Sequence, residues 1–438
     1  MKKAIASLLA GAALLGAATL ALAQSTQFIP VLSYRVGPYA AGGSGYYGGA
    51  IDYWTLTNMS GGINGVQLSW EECETEYNAS KGVECYERLK KKNGGATTVE
   101  PLSTGIAYGL FDRVAQDKIP MTTFGYGLAS AADGRVYDWV FPIGTTYWDQ
   151  MAAMIAYLGQ KEGGVEKLKG KKIAFLYHDS AYGKEPIPVL DALAQKLGFD
   201  TLKIPVTPPG QTMESQWLQI RQQKPDYVIV WTYGVMSTVA LKTAAKTGYP
   251  KDRLLGVWWA GSEEDVVPAG DAAKGYVSAS FTASGLNFPV MQDIKNKVYG
   301  AKKGNLEDAN RLGNVMYTRG VVYGIILVEA LHVAQNKFGK GKVMTPERVR
   351  WGLEHLNLTE ARIRELGAPG LFPPIKTSCE DHEGSGMVKF QRWDGTSFKQ
   401  VTPFMAGDRA MVRKMVEESA AKYASEKKLS PRDCGKEG

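Results

Sequence analysis

Apolar residues in this chain fall into short continuous runs that alternate with stretches of helical spacing. The first run, Val31, Leu32, Tyr34 and Val36, reads as a strand that breaks at Gly37-Pro38, a turn signal. A glycine-rich stretch follows, through Gly42, Gly43, Gly45, Gly48 and Gly49. The pattern then resumes as a helix with Ile51, Tyr53, Trp54 and Leu56. The expected arrangement is strand, ligand-facing loop, helix start. Glycines there would let a backbone come close to a ligand, and a helix N-terminus offers unpaired N–H groups. Residues 66–70 alternate as a second strand. Residues 80–92 read as a helix with Val83, Tyr86 and Leu89 on one face. A strand at 96–99 leads through Ser103 and Thr104 to a helix around 108–117. Residues 119–124 then open onto the loop Gly125-Tyr126-Gly127.

A second series starts near residue 145. Helical stretches are expected at 149–160, 187–197, 216–223 and 235–247, and strands at 172–177, 227–231, 254–259 and 275–281. Residues 311–335 form a long apolar helix. Residues 386–391 and 397–403 flank Asp394-Gly395, a hairpin signal, and 408–423 is an amphipathic helix. Strand and helix alternate with polar or glycine loops at the strand ends. That pattern predicts an α/β protein with two doubly wound parallel sheets, whose ligands bind beyond the carboxyl ends of the strands. A length of 438 residues likewise exceeds one ordinary domain.

The N-terminus changes the compartment. Lys2 and Lys3 precede an apolar run from Ile5 to Leu22, and Ala21-Leu22-Ala23 is a small-x-small cleavage site. Residues 1–23 therefore read as a secretory signal peptide, with a mature start at Gln24. No later stretch reaches the ~18 uninterrupted apolar residues that a membrane span requires. The formal charge of +7 includes Lys2 and Lys3, and no long basic run suggests nucleic acid. In an exported chain, four cysteines point to two disulfides, for which three pairings are possible. The short loop favours Cys73–Cys85, which leaves Cys379–Cys434 to staple the tail.

The chemistry census is thin. G-x-S-x-G, H-E-x-x-H and a Walker A motif are missing. Gly43-Ser44-Gly45-Tyr46-Tyr47-Gly48 fits G-x-G-x-x-G, with Glu71 and Glu72 further on. Its first glycine comes too late after the strand for a dinucleotide site. His178 sits at a strand end beside Asp179 with only Ser180 as a nearby nucleophile, and His382 lies in a polar segment where a weak metal contact is conceivable. No enzyme activity, metal or cofactor is expected. Aromatic and hydroxyl residues accumulate at strand ends instead: Tyr39, Ser103, Thr104, Tyr126, Tyr182, Tyr233, Trp258, Trp259 and Phe281. Apolar walls with a few placed polar groups make a small-molecule site.

At these loops the chain resembles the type I periplasmic solute-binding proteins of the branched-chain amino-acid group, which serve ABC importers. Four segments in order carry the resemblance: Gly37-Pro38 with the glycine-rich helix start; Gly61-Gly62-Ile63-Asn64-Gly65; residues 177–183; and Asp381-His382-Glu383-Gly384 with the Asp394-Gly395 hairpin. The resemblance implies two lobes joined by a hinge with ligand between them. Lobe 1 would comprise 24–144 with about 282–380, and lobe 2 would comprise 145–281 with about 385–403. Residues 404–438 would form a C-terminal helix and tail. It implies first-lobe contacts from Ser103, Thr104, Gly125, Tyr126 and Gly127, and second-lobe contacts from Tyr182, Tyr233 and the Trp258 loop. It also implies a periplasmic location, a small-molecule ligand and a permease partner in the inner membrane.

The chain departs from the group where amino-acid binders place an acid for the α-ammonium, because Trp258 stands there. Glu263 and Glu264 are the first acids beyond it. The expected ligand is therefore a hydrophobic or aromatic solute. The alternatives are a branched-chain amino acid, or a sensor that reports its ligand to a membrane receptor.

Overall fold

The computed structural model describes residues 26–436. The expected signal peptide lies outside them. β1 (Thr26–Val31) and β2 (Gln67–Glu72) pair in parallel, with Thr26 opposite Gln67. Segment 97–100 lies along the other side of β1: the Thr97 amide donates to the Phe28 carbonyl, and Val31 bridges Glu100. Val99 in turn bridges Met121, so this segment joins β1 to the parallel pair β3 (Met121–Thr122) and β4 (Val140–Phe141). The strand expected at 96–99 is thus present only as bridges. Helices α1 (Ala40–Met59), α2 (Ala79–Leu89) and α3 (Thr104–Asp117) connect these strands.

The second sheet holds β5 (Lys172–His178), β6 (Asp200–Val206), β7 (Tyr227–Trp231), β8 (Leu254–Gly256) and β9 (Val277–Ser280), all parallel. Its helices are α4 (Tyr147–Glu162), α5 (Ala181–Lys184), α6 (Ile187–Leu197), α7 (Glu214–Gln223), α8 (Val235–Lys246) and α9 (Glu263–Val266). The chain then returns to the first body through α10 (Pro289–Asp293), α11 (Val315–Phe338), α12 (Pro346–Glu354) and α13 (Glu360–Glu365). A short antiparallel pair, β10 (Asn357–Leu358) with β11 (Ile375–Lys376), lies there as well. Finally β12 (Lys389–Trp393) and β13 (Phe398–Gln400) form the hairpin expected around Asp394-Gly395. It extends the second sheet antiparallel to β9, in the order β13-β12-β9-β8-β7-β5-β6. α14 (Arg409–Lys427) follows, with Asp408 as its cap.

The glycine-rich stretch is not a loop. α1 starts at Ala40 and runs straight through Gly42 to Gly49. Close packing explains the composition. A Cβ at Gly49 would overlap the Tyr317 carbonyl on α11, and one at Gly320 would overlap the Tyr46 carbonyl on α1. Each glycine costs about 1 kcal/mol of helix propensity, which the close helix contact offsets. Buried Asp52 fastens the same seam, accepting the Tyr317 hydroxyl at 2.7 Å and the Tyr299 hydroxyl at 2.8 Å. By length and hydropathy α11 could cross a membrane. However, 94% of its most apolar window is buried inside the protein, so it acts as a core helix.

The chain passes between the two sheets near Gly144, Thr282 and Gly386. Two of these crossovers touch: the Gly144 amide donates to Glu383 O at 2.7 Å, and the Gly386 amide to Gly144 O at 2.8 Å. Arg409, at the start of α14, pairs with Glu383 at 2.7 Å and with buried Asp149 at 2.9 Å, bracing this hinge. Both expected disulfides are formed, Cys73–Cys85 and Cys379–Cys434.

Candidate functional site: a tyrosine-lined cleft between the lobes

The carboxyl ends of both sheets meet around a narrow cavity. Tyr34, Tyr77, Leu102, Thr104 and Tyr126 line it from the first lobe, and Tyr147, Tyr182, Tyr233 and Trp259 from the second. Neither an acid nor a base is among these residues. Tyr126 follows β3, Tyr182 follows β5 and Tyr233 follows β7, as a doubly wound sheet places ligand contacts.

Hydrogen bonds hold the walls. The Leu102 amide donates to the Tyr126 hydroxyl at 2.7 Å, and the Leu102 carbonyl accepts from Tyr34 at 3.2 Å. Leu102 itself sits at φ +45°, a costly conformation for a branched side chain, so these bonds hold a strained residue in place. Ser103 caps α3, accepting the Ile106 amide at 3.4 Å. Thr104 is therefore the first residue of a 14-residue helix whose N-terminus faces the cavity. The Tyr182 hydroxyl donates to Thr232 O at 3.0 Å. Two buried donors on the cavity lack partners, Thr104 Oγ1 and Trp259 Nε1. Burial raises the Tyr147 phenol well above its usual pKa. Thr104 and Trp259 lie close enough to oppose that rise, although neither completes a hydrogen bond to it.

The lobes are closed on this cavity. Tyr39 stacks on Tyr233 with centroids 5.2 Å apart, and its hydroxyl meets His178 Nε2 at 2.8 Å. Burial pushes the His178 imidazole down to about 4, so it is neutral. Its Nδ1 meets Ser180 Oγ at 2.7 Å. On one flank, Glu185 accepts the Ala129 amide at 2.7 Å and the Tyr108 hydroxyl at 3.1 Å. On another, Glu263 accepts the Val315 amide at 2.8 Å, at the N-terminus of α11, and Glu264 pairs with Arg311 at 2.7 Å. Burial pushes Glu185 up to about 8 and Glu263 up to about 7.

Of the residues expected at the site, Thr104, Tyr126, Tyr182, Tyr233 and Trp259 line the cavity. Tyr39 buttresses Tyr233 from behind, and Ser103 serves as the helix cap. Trp258 faces away from the cavity, stacked on Tyr147 at 6.0 Å and edge-on to Phe281 at 4.8 Å. Phe281 packs behind Trp259 at 6.0 Å, and Gly125 gives room for that ring. Gly127, at φ +92°, turns the same loop past Thr123. The sequence reading missed Tyr34, Tyr77, Leu102 and Tyr147. His382 is fully buried, with Nδ1 at 2.8 Å from Val140 O and Nε2 at 3.3 Å from Glu354. Among the described residues no cluster of His, Cys, Asp or Glu is placed to hold a metal.

Two sheets close over a shared cleft, with three crossovers between them. The chain belongs to the periplasmic binding protein family, whose model matches residues 26–398. It is similar to a protein of the Pseudomonas fluorescens group described as an ABC transporter permease, at 45% identity over 94% of this chain and 100% of that one, with a TM-score of 0.88. It shares its fold with a branched-chain amino acid ABC transporter protein from Thermus thermophilus with bound valine, at 22% identity, covering 90% of this chain and 99% of that one, TM-score 0.73. A solute-binding protein of R. palustris in complex with benzoate also has this fold, at 18% identity, covering 88% and 98%, TM-score 0.68. No curated protein matches the chain.

Proposed function

We propose that this protein works in the periplasm, captures a small ring-bearing acid without an α-amino group between its lobes, and delivers it to an ABC permease in the inner membrane. The observation that carries this reading is the cavity's polarity. Its lining offers unpaired donors, Thr104 Oγ1 and Trp259 Nε1 beside the N-terminus of α3, and no carboxylate. Donors at a helix N-terminus suit an anion. A buried ammonium without a counter-charge is costly. Glu263 and Glu264, the acids nearest in sequence, are already bound to the Val315 amide and to Arg311. Aromatic walls would add about 0.5–1.5 kcal/mol per ring contact beyond burial.

Calorimetry with leucine, isoleucine, valine and phenylalanine beside benzoate- and cinnamate-type acids tests the reading. Micromolar binding of an aromatic acid, with compaction in small-angle scattering as the hinge closes, is expected. Tight binding of a free amino acid and of no aromatic acid would overturn it.

A further inference from the structure

Arg319 is fully buried on α11, yet its Nε and Nη2 have no hydrogen-bond partner. Only Nη1 finds a contact, the Met316 sulfur at 3.5 Å. A guanidinium held this way in a dry interior is costly. Its position is informative. Arg319 lies one helical turn before Tyr323, whose hydroxyl meets Thr122 at the end of β3 at 3.3 Å. Residues four apart share a helix face, so Arg319 sits over the carboxyl end of the first sheet, on the cleft side. There its guanidinium carbon is 5.0 Å from the centre of the Trp259 ring and 5.0 Å from that of Phe281. Trp259 is a wall of the cavity, so one indole separates this charge from the ligand space.

The nearby acids do not pair with Arg319. Glu263 holds the Val315 amide, Glu264 holds Arg311, and Asp265 accepts from the Ser262 amide and hydroxyl at 3.0 and 2.8 Å. Burial raises Glu263 and Asp265 to about 7, which thins the negative charge that faces the guanidinium.

A box of six tyrosines and a tryptophan would ordinarily attract a cation to its ring faces. Here one of those faces is already engaged by an arginine. We propose that Arg319 is a specificity-determining residue that acts through Trp259: its buried charge turns a cation-type aromatic box into one that selects a ring-bearing carboxylate over the matching neutral amide and amine. This deepens the ligand reading above and rests on it. The charge is buried, so salt should screen it little.

The test compares wild type, Arg319→Met and Arg319→Lys by calorimetry with matched pairs: benzoate and benzamide, phenylacetate and phenylacetamide, cinnamate and cinnamamide, plus benzylamine. Wild type should bind at least one acid tenfold or more tighter than its amide, and benzylamine more weakly still. Arg319→Met should weaken the acid at least tenfold and the amide less than threefold, and Arg319→Lys should restore most of the preference. An acid-to-amide ratio near one in wild type overturns the proposal even if no variant folds. So does an unchanged ratio in Arg319→Met. Binding of neither member of any pair is a different failure: it removes the ligand reading itself, and this inference with it.

Discussion

The hydroxyls of Tyr34 and Tyr233 lie 2.8 Å apart, one from each lobe, across the mouth of the cavity. Tyr34 follows β1 and Tyr233 follows β7, so the bond exists only while the lobes are closed. It belongs to the energy of closure and not to the stability of either lobe. Tyr233→Phe keeps the stack on Tyr39 and removes the bond. A neutral hydrogen bond contributes about 0.5–1.5 kcal/mol net, so ligand affinity should fall roughly two- to twelvefold. The melting temperature of the ligand-free protein should stay within about a degree. Unchanged affinity in calorimetry would show that the bond does not bear on closure.

The seam between α1 and α11 makes a separate prediction about stability. Gly49 meets the Tyr317 carbonyl so closely that no side chain fits. Gly49→Val should force the helices apart at a cost of about 1–3 kcal/mol. That corresponds to a fall of about 2–12 °C in melting temperature for a lobe of this size. Thermal unfolding followed by circular dichroism checks it, and a melting temperature equal to wild type would count against the close packing.

The same seam marks where sequence reasoning met its limit. Five consecutive-looking glycines from Gly42 to Gly49 carry a loop signal, and only the presence of α11 opposite them explains why they are helical. That partner is some 270 residues away in the chain, beyond the reach of any local pattern. Tyr126, Tyr182 and Tyr233 were legible because each follows a strand of a doubly wound sheet. Tyr34 was hidden inside an apolar run, and Tyr147 just ahead of the helix expected at 149–160, which in fact begins at Tyr147. Tyr77 lies in the connection between β2 and α2, where it adopts φ +59°. Trp258 and Trp259 were not separable by sequence. They sit in one tight 3₁₀ turn that directs one ring to the cavity and the other to Tyr147 and Phe281. Arg319 left no signal at all, since a single cation within an apolar helix reads as a helix position and nothing more.

The disulfides differ in what they should contribute. Cys379–Cys434 spans 55 residues and Cys73–Cys85 only 12. In the chain-entropy picture the longer loop stabilises by about 4 kcal/mol and the shorter by about 3. The longer one also fastens the tail beside Arg432, which pairs with Glu354 at 2.7 Å. The double change Cys379→Ser with Cys434→Ser should therefore lower the melting temperature more than Cys73→Ser with Cys85→Ser. It should leave ligand affinity within about twofold, because neither cysteine of that bridge lines the cleft. Equal effects of the two pairs on melting would contradict this ordering. Mass spectrometry of the unreduced protein should detect no free thiol.

Closure should take up protons. Glu185 reaches from the second lobe to the Ala129 amide and the Tyr108 hydroxyl, and burial there raises it to about 8. Glu263 reaches to the Val315 amide, and burial raises it to about 7. When the lobes part, both carboxyls regain water and return toward the ordinary value of about 4.3. Each group thus has a closed-state pKa above its open-state pKa. Its contribution to closure is fully present below about 4.3 and is lost as pH rises through about 7 for Glu263 and about 8 for Glu185. His178 meets Tyr39 across the lobes and is pushed down to about 4 when they are closed, so below about pH 6.5 closure sheds its proton and offsets part of this uptake. An aromatic carboxylate is ionised from pH 5.5 to pH 8.5, so the ligand adds almost no titration of its own over that range. Ligand affinity should therefore decline steadily from pH 5.5 to pH 8.5. Binding heats at pH 6.5, measured in buffers of different ionisation enthalpy, should reveal net proton uptake. Glu185→Gln keeps an acceptor for the Ala129 amide without a titrating group, so it should flatten the upper part of the pH profile and reduce the uptake. Affinity that is level or rises with pH in the wild type would mean that these carboxylates do not bear on closure.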